Sequence, residues 1–404
     1  MNTSATILFS TVILFILCAG RNENEINKKD DNEFIIADSV VQVVLDLALE
    51  NCSMMIRMLP DEGLLPRSEN QSGELRLVKP SDWTSGFFPG ILWLIYETTN
   101  GENWRSTARK YTACLLNEQY NSGTHDMGFK MFCSFGNGYK LTKDTSYRTI
   151  LIQSAYTLAS RFNPVTGCVK SWDWGTDKWE FPVIIDNMMN LELLLWAYHE
   201  TKDSLFYQIA VRHADNTIEN HFRDDNSSYH VVDYDPRTGQ VIKKLTHQGY
   251  ADSSAWARGQ SWGLYGFTMC YRETGLQKYL DMAERIAGFI IHHPHLPEDK
   301  VPYWDFDAPD IPDAPRDVSA AAIICSALYE LASFSEQKQQ LYLEMADGIF
   351  HSLCTENYTG LNKQSPFILK HSTGNKPAGE EIDVPVIYAD YYFLEALIRR
   401  NKFK

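Results

Sequence analysis

Apolar residues recur with a helical period along almost the whole chain, and this pattern constrains the fold more than any other feature. Twelve stretches carry it: 38–59, 85–98, 102–119, 127–136, 145–162, 186–200, 203–221, 254–273, 277–291, 317–333, 336–352 and 386–400. Leu191, Leu194, Leu195 and Tyr198 share one face of such a helix, as do Ile323, Ala327, Leu331 and Phe334. Asp144 and Asp317 stand where a helix N-terminus wants a side-chain acceptor. One strand pair is expected, 229–234 with 240–245, turned by Asp235-Pro236-Arg237-Thr238-Gly239. Strands and helices do not alternate, which excludes a doubly wound sheet or a TIM barrel. Twelve helices make six hairpins, and six helical hairpins close into an (α/α)6 barrel. An open superhelix of helical pairs competes, but no repeat of fixed period is visible. No Gly/Ser linker divides the chain. Residues 38–404 are expected to form one all-α domain with a small β-hairpin insertion.

The amino terminus is of another kind. The apolar run 5–19 is short for a membrane span, which needs about 20 residues, and fits the core of a signal peptide occupying 1–20. Cys18 is an alternative site for a lipid anchor, although Leu17 before it is larger than the residue usual there. Residues 21–33 are polar and 21–37 read as a flexible tether, so an exported, periplasmic protein or lipoprotein is expected. Beyond Cys18 seven cysteines remain, with no Cys-x-x-Cys pair. Buried thiols are expected in place of a disulfide framework or zinc site. Lys and Arg number 37 against 52 Asp and Glu, a net charge of -15 that argues against nucleic acid as a partner. Aromatic residues make up 13%, and many tryptophans fall in polar, Gly-containing stretches suited to stacking on sugar rings.

Several residues can carry chemistry, and each has a plainer role beside the chemical one. Asp186 follows Phe181-Pro182-Val183-Ile184-Ile185 and precedes a strongly apolar helix. A desolvated carboxyl there has a raised pKa and can donate a proton near neutrality; the plainer role is a helix N-cap. Asp126, before another helix, has the same two readings. Two carboxylates in one pocket would mark glycoside chemistry. His230 lies in the hairpin, where packing is the commoner role. Arg258, between Trp256 and Trp262, can grip a carboxylate with both nitrogens or form an ordinary ion pair. Trp83, Trp172 and Trp174 are stacking platforms or core. His292-His293-Pro294-His295 suggests a metal less than a solvated loop. Asp305, Asp307, Asp310 and Asp313 lack the Gly and distal Glu of an EF-hand and read as a structural turn.

Taken together, the motifs resemble a known family. Trp83-Thr84-Ser85-Gly86-Phe87-Phe88-Pro89-Gly90, His125-Asp126-Met127-Gly128-Phe129, Asp186-Asn187-Met188-Met189 and His247-Gln248-Gly249-Tyr250-Ala251-Asp252 are similar to those of glycoside hydrolase family 88, the unsaturated glucuronyl hydrolases. Trp256-Ala257-Arg258-Gly259-Gln260-Ser261-Trp262-Gly263 and Tyr303-Trp304-Asp305-Phe306-Asp307-Ala308-Pro309 continue the match, in order. The resemblance implies an (α/α)6 barrel acting on oligosaccharides that carry a 4,5-unsaturated uronic acid at the non-reducing end. It implies protonation of C4 of the enol ether and addition of water at C5, with no metal or organic cofactor. The family's general acid/base falls on Asp186 and its second essential carboxylate on Asp126. His230, Gln248, Trp256, Arg258 and Trp262 match other pocket positions, with Trp83 and Trp172 or Trp174 as stacking partners. Members that prefer sulfated substrates carry Ser-x-x-Ser-x-Lys; here Ser365 and Lys370 are present but the middle serine is Ile368. The rival readings are an unsaturated rhamnogalacturonyl hydrolase acting on pectin fragments, an inverting hydrolase of saturated glycosides, and a non-catalytic glycan-binding protein.

Overall fold

The computed structural model describes residues 38–60, 63–360 and 365–403; the expected signal peptide and tether, including Cys18, lie outside the described residues. The α-helices are α1 (Asp38–Met58), α2 (Phe87–Thr99), α3 (Glu102–Ala113), α4 (Asn137–Thr142), α5 (Thr145–Ala159) and α6 (Asn187–Thr201). They continue with α7 (Ser204–Asn220), α8 (Ala257–Thr274), α9 (Gln277–His292), α10 (Val318–Ala332), α11 (Gln339–Leu353) and α12 (Ile387–Arg400). The stretch expected as a helix over 127–136 is a π-helix, Gly128–Gly136, running straight into α4. Its first N–H groups are taken by a neighbouring side chain: Asn190 Oδ1 on α6 accepts from Gly128 N at 2.8 Å and Phe129 N at 3.3 Å. Asp144 and Asp317 cap α5 and α10 as expected.

Six of these elements form a closed ring. The neighbours run α2, π-helix, α6, α8, α10, α12 and back to α2. Outside them, α3 backs α2, α5 the π-helix, α7 α6, α9 α8 and α11 α10, while on α1 Cys52 lies close to Asp390 of α12. This is the (α/α)6 barrel. The sequence separates the two layers. In α10 every residue from Val318 to Tyr329 is buried, as an inner helix covered on all sides requires, whereas α9 buries the single stripe Tyr279, Met282, Ala283, Ile286, Ala287 and Ile290. Glycine lets the inner helices approach closely: a Cβ on Gly266 would lie 2.5 Å from Met188 Cβ, and one on Gly128 2.6 Å from Asn190 Cα. No helix among the described residues is long and apolar enough to cross a membrane.

Among the described residues nine short strands decorate the barrel: β1 (Leu65–Glu69), β2 (Leu75–Val78), β3 (Phe162–Asn163), β4 (Cys168–Val169), β5 (Pro182–Ile184), β6 (Val231–Tyr234), β7 (Val241–Leu245), β8 (Ser372–Asn375) and β9 (Glu380–Val384). The expected hairpin is β6–β7, and β5 extends it to three antiparallel strands in the order β5-β6-β7. Sheet β5-β6-β7 and hairpins β1–β2 and β8–β9 stand over one end of the ring. That end collects the N-termini of the inner helices. At the other end, Arg272 in the last turn of α8 and Arg399 in that of α12 pair with Glu192, Glu273, Glu330 and Glu395, cations where helix C-termini favour them.

Candidate active site

A cavity of about 260 Å³ opens at the N-terminal end of the ring. Trp83, Asp126, Trp172, Asp186, Gln248 and Arg258 line it, six residues expected from sequence and contributed by widely separated parts of the chain. Trp256, Trp262 and His230 are buried and stand directly behind this lining. Ser365 and Lys370 are elsewhere. They border an adjoining groove, where Ser365 Oγ donates to Glu69 Oε1 at 2.9 Å and Lys370 Nζ to the Glu356 carbonyl at 2.7 Å.

Asp186 occupies the N-cap position of α6, yet its side chain makes no capping hydrogen bond. Its Oδ2 is buried without a hydrogen-bond partner, and only 13% of the side chain is exposed. Burial raises its pKa to about 7 from 3.8; the Asp126 charge adds to this, while Arg258 and Trp262 pull the other way. The carboxyl that the sequence left divided between capping and proton transfer is therefore free for the latter.

His230 faces it. The backbone N–H groups of His247 and Gln248 both donate to His230 Nδ1, at 3.1 and 3.0 Å, so the lone pair is on Nδ1 and the ring proton on Nε2. Burial holds this imidazole well towards its neutral form. Nε2 lies 3.7 Å from Asp186 Oδ2, too far for a hydrogen bond, and is itself unpartnered. The indole N–H of Trp262 also interacts with Asp186 without reaching hydrogen-bond geometry. Three buried polar atoms thus converge on one point with their hydrogen bonds unmade, an arrangement a ligand atom completes.

Arg258 does something other than wait for a substrate carboxylate. One of its nitrogens is 2.5 Å from Asp317 Oδ2 and 2.7 Å from the Thr373 carbonyl, and another donates to the Gly374 carbonyl. The guanidinium lies 4.5 Å from the Trp256 ring and 5.5 Å from that of Tyr388. Gln248 Nε2 donates to the same Gly374 carbonyl at 3.1 Å. Arg258 and Gln248 therefore fasten hairpin β8–β9 over the cavity, and Arg258 acts on the interior through its field. Trp83 packs among Phe87, Phe129 and Tyr388 at 5.0–5.8 Å. Trp172 stacks flat on the exposed Trp174, 4.6 Å between centroids, making a two-ring platform at the mouth.

Sequence reasoning missed part of the wall. Arg67 lines the cavity and binds both oxygens of Glu381, at 2.8 and 2.9 Å, and Asp82 at 2.9 Å. Burial opposes ionisation of Glu381, but the Arg67 contacts outweigh it and hold its carboxyl below the usual range. His125, His247, Asn375, Glu380 and Tyr388 also line it. His125 and His247 stood inside quoted motifs and adjacency to Asp126 and Gln248 pointed to them. Arg67, Asn375, Glu380 and Glu381 sit on hairpins with no periodic signal. Elsewhere, His293, His295 and Asp307 come together within 4.8 Å at the surface. Asp305 accepts from Tyr250 N, Ser254 Oγ and Asp307 N, the turn expected of that segment. The seven described cysteines are all free thiols.

Known proteins share this architecture. The model of Glycosyl Hydrolase Family 88 matches residues 64–392. An unsaturated glucuronyl hydrolase of Formosa agariphila is 49% identical over 83% of this chain and 84% of its own. An unsaturated chondroitin disaccharide hydrolase of Streptococcus pneumoniae is 34% identical over 80% and 82%. Among solved structures, an unsaturated glucuronyl hydrolase specific for heparin superposes with a TM-score of 0.88 at 44% identity, covering 91% of this chain and 98% of that one. With the family model matching residues 64–392 and a relative 49% identical over 83% of the chain, the chain belongs to glycoside hydrolase family 88.

Proposed function

We propose that the enzyme releases the 4,5-unsaturated uronic acid from the non-reducing end of lyase-generated glycosaminoglycan oligosaccharides. Asp186 gives its proton to C4; the electron pair of the C4–C5 double bond forms the new C–H bond, leaving oxocarbenium character shared by C5 and the ring oxygen. Water adds to C5 and returns a proton to the Asp186 carboxylate. The hemiketal so formed opens, and the next sugar leaves. A group that donates and then accepts wants a pKa near the working pH, and the unspent, desolvated Asp186 carboxyl carries this reading. His230 Nε2–H and the Trp262 N–H are placed to stabilise the carboxylate once its proton has gone. Asp126 tunes Asp186 through its charge. Trp83 and the Trp172–Trp174 platform support the sugar faces, with Gln248, Trp256 and Arg258 shaping the pocket.

The proposal is tested with Asp186→Asn, which should abolish the loss of the ultraviolet absorbance of the conjugated uronate while the fold persists; a near-wild-type rate would refute it. In heavy water the product should carry solvent deuterium at C4, which inverting hydrolysis of a saturated glycoside would not deposit. A leaving sugar long enough to reach the adjoining groove would meet Ser365 and Lys370, and a panel of sulfated, unsulfated and rhamnogalacturonan-derived unsaturated disaccharides reads out that preference. The apolar run 5–19 supports export with 1–20 as the leader. Mass spectrometry of the mature amino terminus distinguishes Arg21 from acylated Cys18.

A further inference from the structure

Two of the three histidines at the end of α9 turn towards one carboxylate. His292 stays with its own helix, its Nδ1 2.9 Å from the Gly288 carbonyl. His293 and His295 lie beyond it, and one ring nitrogen of each stands within 4.8 Å of the other and of an Asp307 carboxylate oxygen. The sequence alone favours a solvated loop here; the partner it does not show is Asp307, more than ten positions on. The His295 ring is held by a hydrogen bond between Nδ1 and the Phe306 carbonyl, at 2.7 Å. A carbonyl only accepts, so Nδ1 carries the proton and the neutral ring presents its lone pair at Nε2. A histidine that ligates a metal is oriented in this way by its other nitrogen. The His293 ring packs on Phe289 and Phe306, with centroids 5.0 and 4.7 Å away. Its Nδ1 accepts from His295 N at 3.2 Å, a long bond that costs little to give up. Asp307 Oδ2 accepts from Ala255 N at 2.9 Å, which anchors the carboxylate and leaves Oδ1 for a ligand.

We propose that His293, His295 and Asp307 form a surface site for a zinc-type divalent ion, completed by water, which ties the end of α9 to the segment 303–307. The site does not depend on the function proposed above. Two imidazoles and one carboxylate suit a borderline ion such as zinc, whereas magnesium and calcium take oxygen ligands. Bonds of about 2.0–2.2 Å put neighbouring ligand atoms about 3.3 Å apart in a zinc tetrahedron. His295 and Asp307 are exposed, so rotation of their side chains closes the remaining distance. The tie lies behind the start of α8. Phe306 N donates to the Ala255 carbonyl at 2.9 Å, and Ala257 N to the Trp304 carbonyl at 3.1 Å. A bound ion therefore stiffens the segment that leads into Arg258, and none of its three ligands lines the cavity.

The test is a titration of chelator-treated wild-type protein with zinc chloride by calorimetry, with thermal melts at each concentration. One ion per chain should bind, and the melting temperature should rise with zinc concentration, as it must for a ligand selective for the folded state. Magnesium at the same concentrations should leave it unmoved. His295→Ala removes one ligand, and Asp307→Asn removes the charge while keeping an acceptor for Ala255 N. Each should weaken zinc binding by at least about tenfold and abolish the thermal shift. No shift in the wild type, an equal shift with magnesium, or zinc binding unchanged in either variant would overturn the proposal. Should the variants not fold, anomalous scattering at the zinc edge from wild-type crystals decides. A peak between the three side chains supports the site; a peak only elsewhere, or none, overturns it.

Discussion

Replacing the proposed acid should make the protein more stable, and only over a defined pH range. Asp186 titrates near 7 in the fold against a reference of 3.8. Its raised pKa means that the folded state holds the proton more tightly than the unfolded chain does. Below the unfolded pKa both states are protonated and the group costs nothing. As pH rises from about 4 to 7 the unfolded chain ionises first, so stability falls throughout that window and levels off above it. A change from 3.8 to about 7 corresponds to about 4 kcal/mol, an upper figure because relaxation and water entry reduce it. Asp186→Asn removes the ionisation and keeps the shape. Its advantage over wild type in urea or thermal unfolding should be slight at pH 4.5, grow through pH 6, and reach its full value by pH 8. A pH-independent difference, or a less stable variant at pH 8, would refute the account of a desolvated carboxyl.

Other consequences are more local. Arg258→Lys cannot serve Asp317 and the carbonyls of Thr373 and Gly374 together; leaving Asp317 buried and underpaired should cost about 3 kcal/mol, and urea unfolding showing under about 1 kcal/mol would contradict the role given to it. Gly128→Ala drives a Cβ to 2.6 Å from the Asn190 Cα, so the variant should melt several degrees lower and lose activity; a wild-type melting curve would show that the π-helix can yield. Binding of a uronate product at pH 7.5 should draw a proton onto Asp186, seen as a calorimetric enthalpy that depends on the buffer. No buffer dependence would mean that uronate and Asp186 are not coupled.

The barrel was legible because its inner and outer helices bury their apolar faces with a period the sequence displays. The triple Ala320-Ala321-Ala322 and the stripe from Tyr279 to Ile290 already announce two layers. The π-helix was not, since an apolar helical pattern does not tell π from α winding, and the side chain that takes its first N–H, Asn190, lies 62 positions from Gly128. The same holds for the site. Asp186 and Asp126 stood at helix starts next to apolar runs. That Asp186 does not cap its own helix depends on tertiary placement alone. Arg67 and Glu381, 314 residues apart, meet only after the ring has closed, and neither of their short hairpins has a pattern to find.

The electrostatics of the pocket turn on this convergence of separated segments. A net charge of -15 suits an acidic ligand badly, and the lining does not reverse it: Arg67 is spent on Asp82 and Glu381, and Arg258 on Asp317. Beside the field of Arg258, what remains positive is the backbone. The starts of α2, the π-helix, α6, α8, α10 and α12 stand around one mouth, and each helix N-terminus carries about half a positive charge that does not depend on pH. Against that fixed field, the ionisable charges facing the ligand are the carboxylates. In the proposed mechanism, keeping Asp186 protonated serves two ends, since the proton meant for C4 also removes a charge that would repel the uronate. That mechanism links substrate binding and acid strength through one carboxyl: a bound uronate should raise the Asp186 pKa further, so that the proton is given up only as positive charge develops at C5.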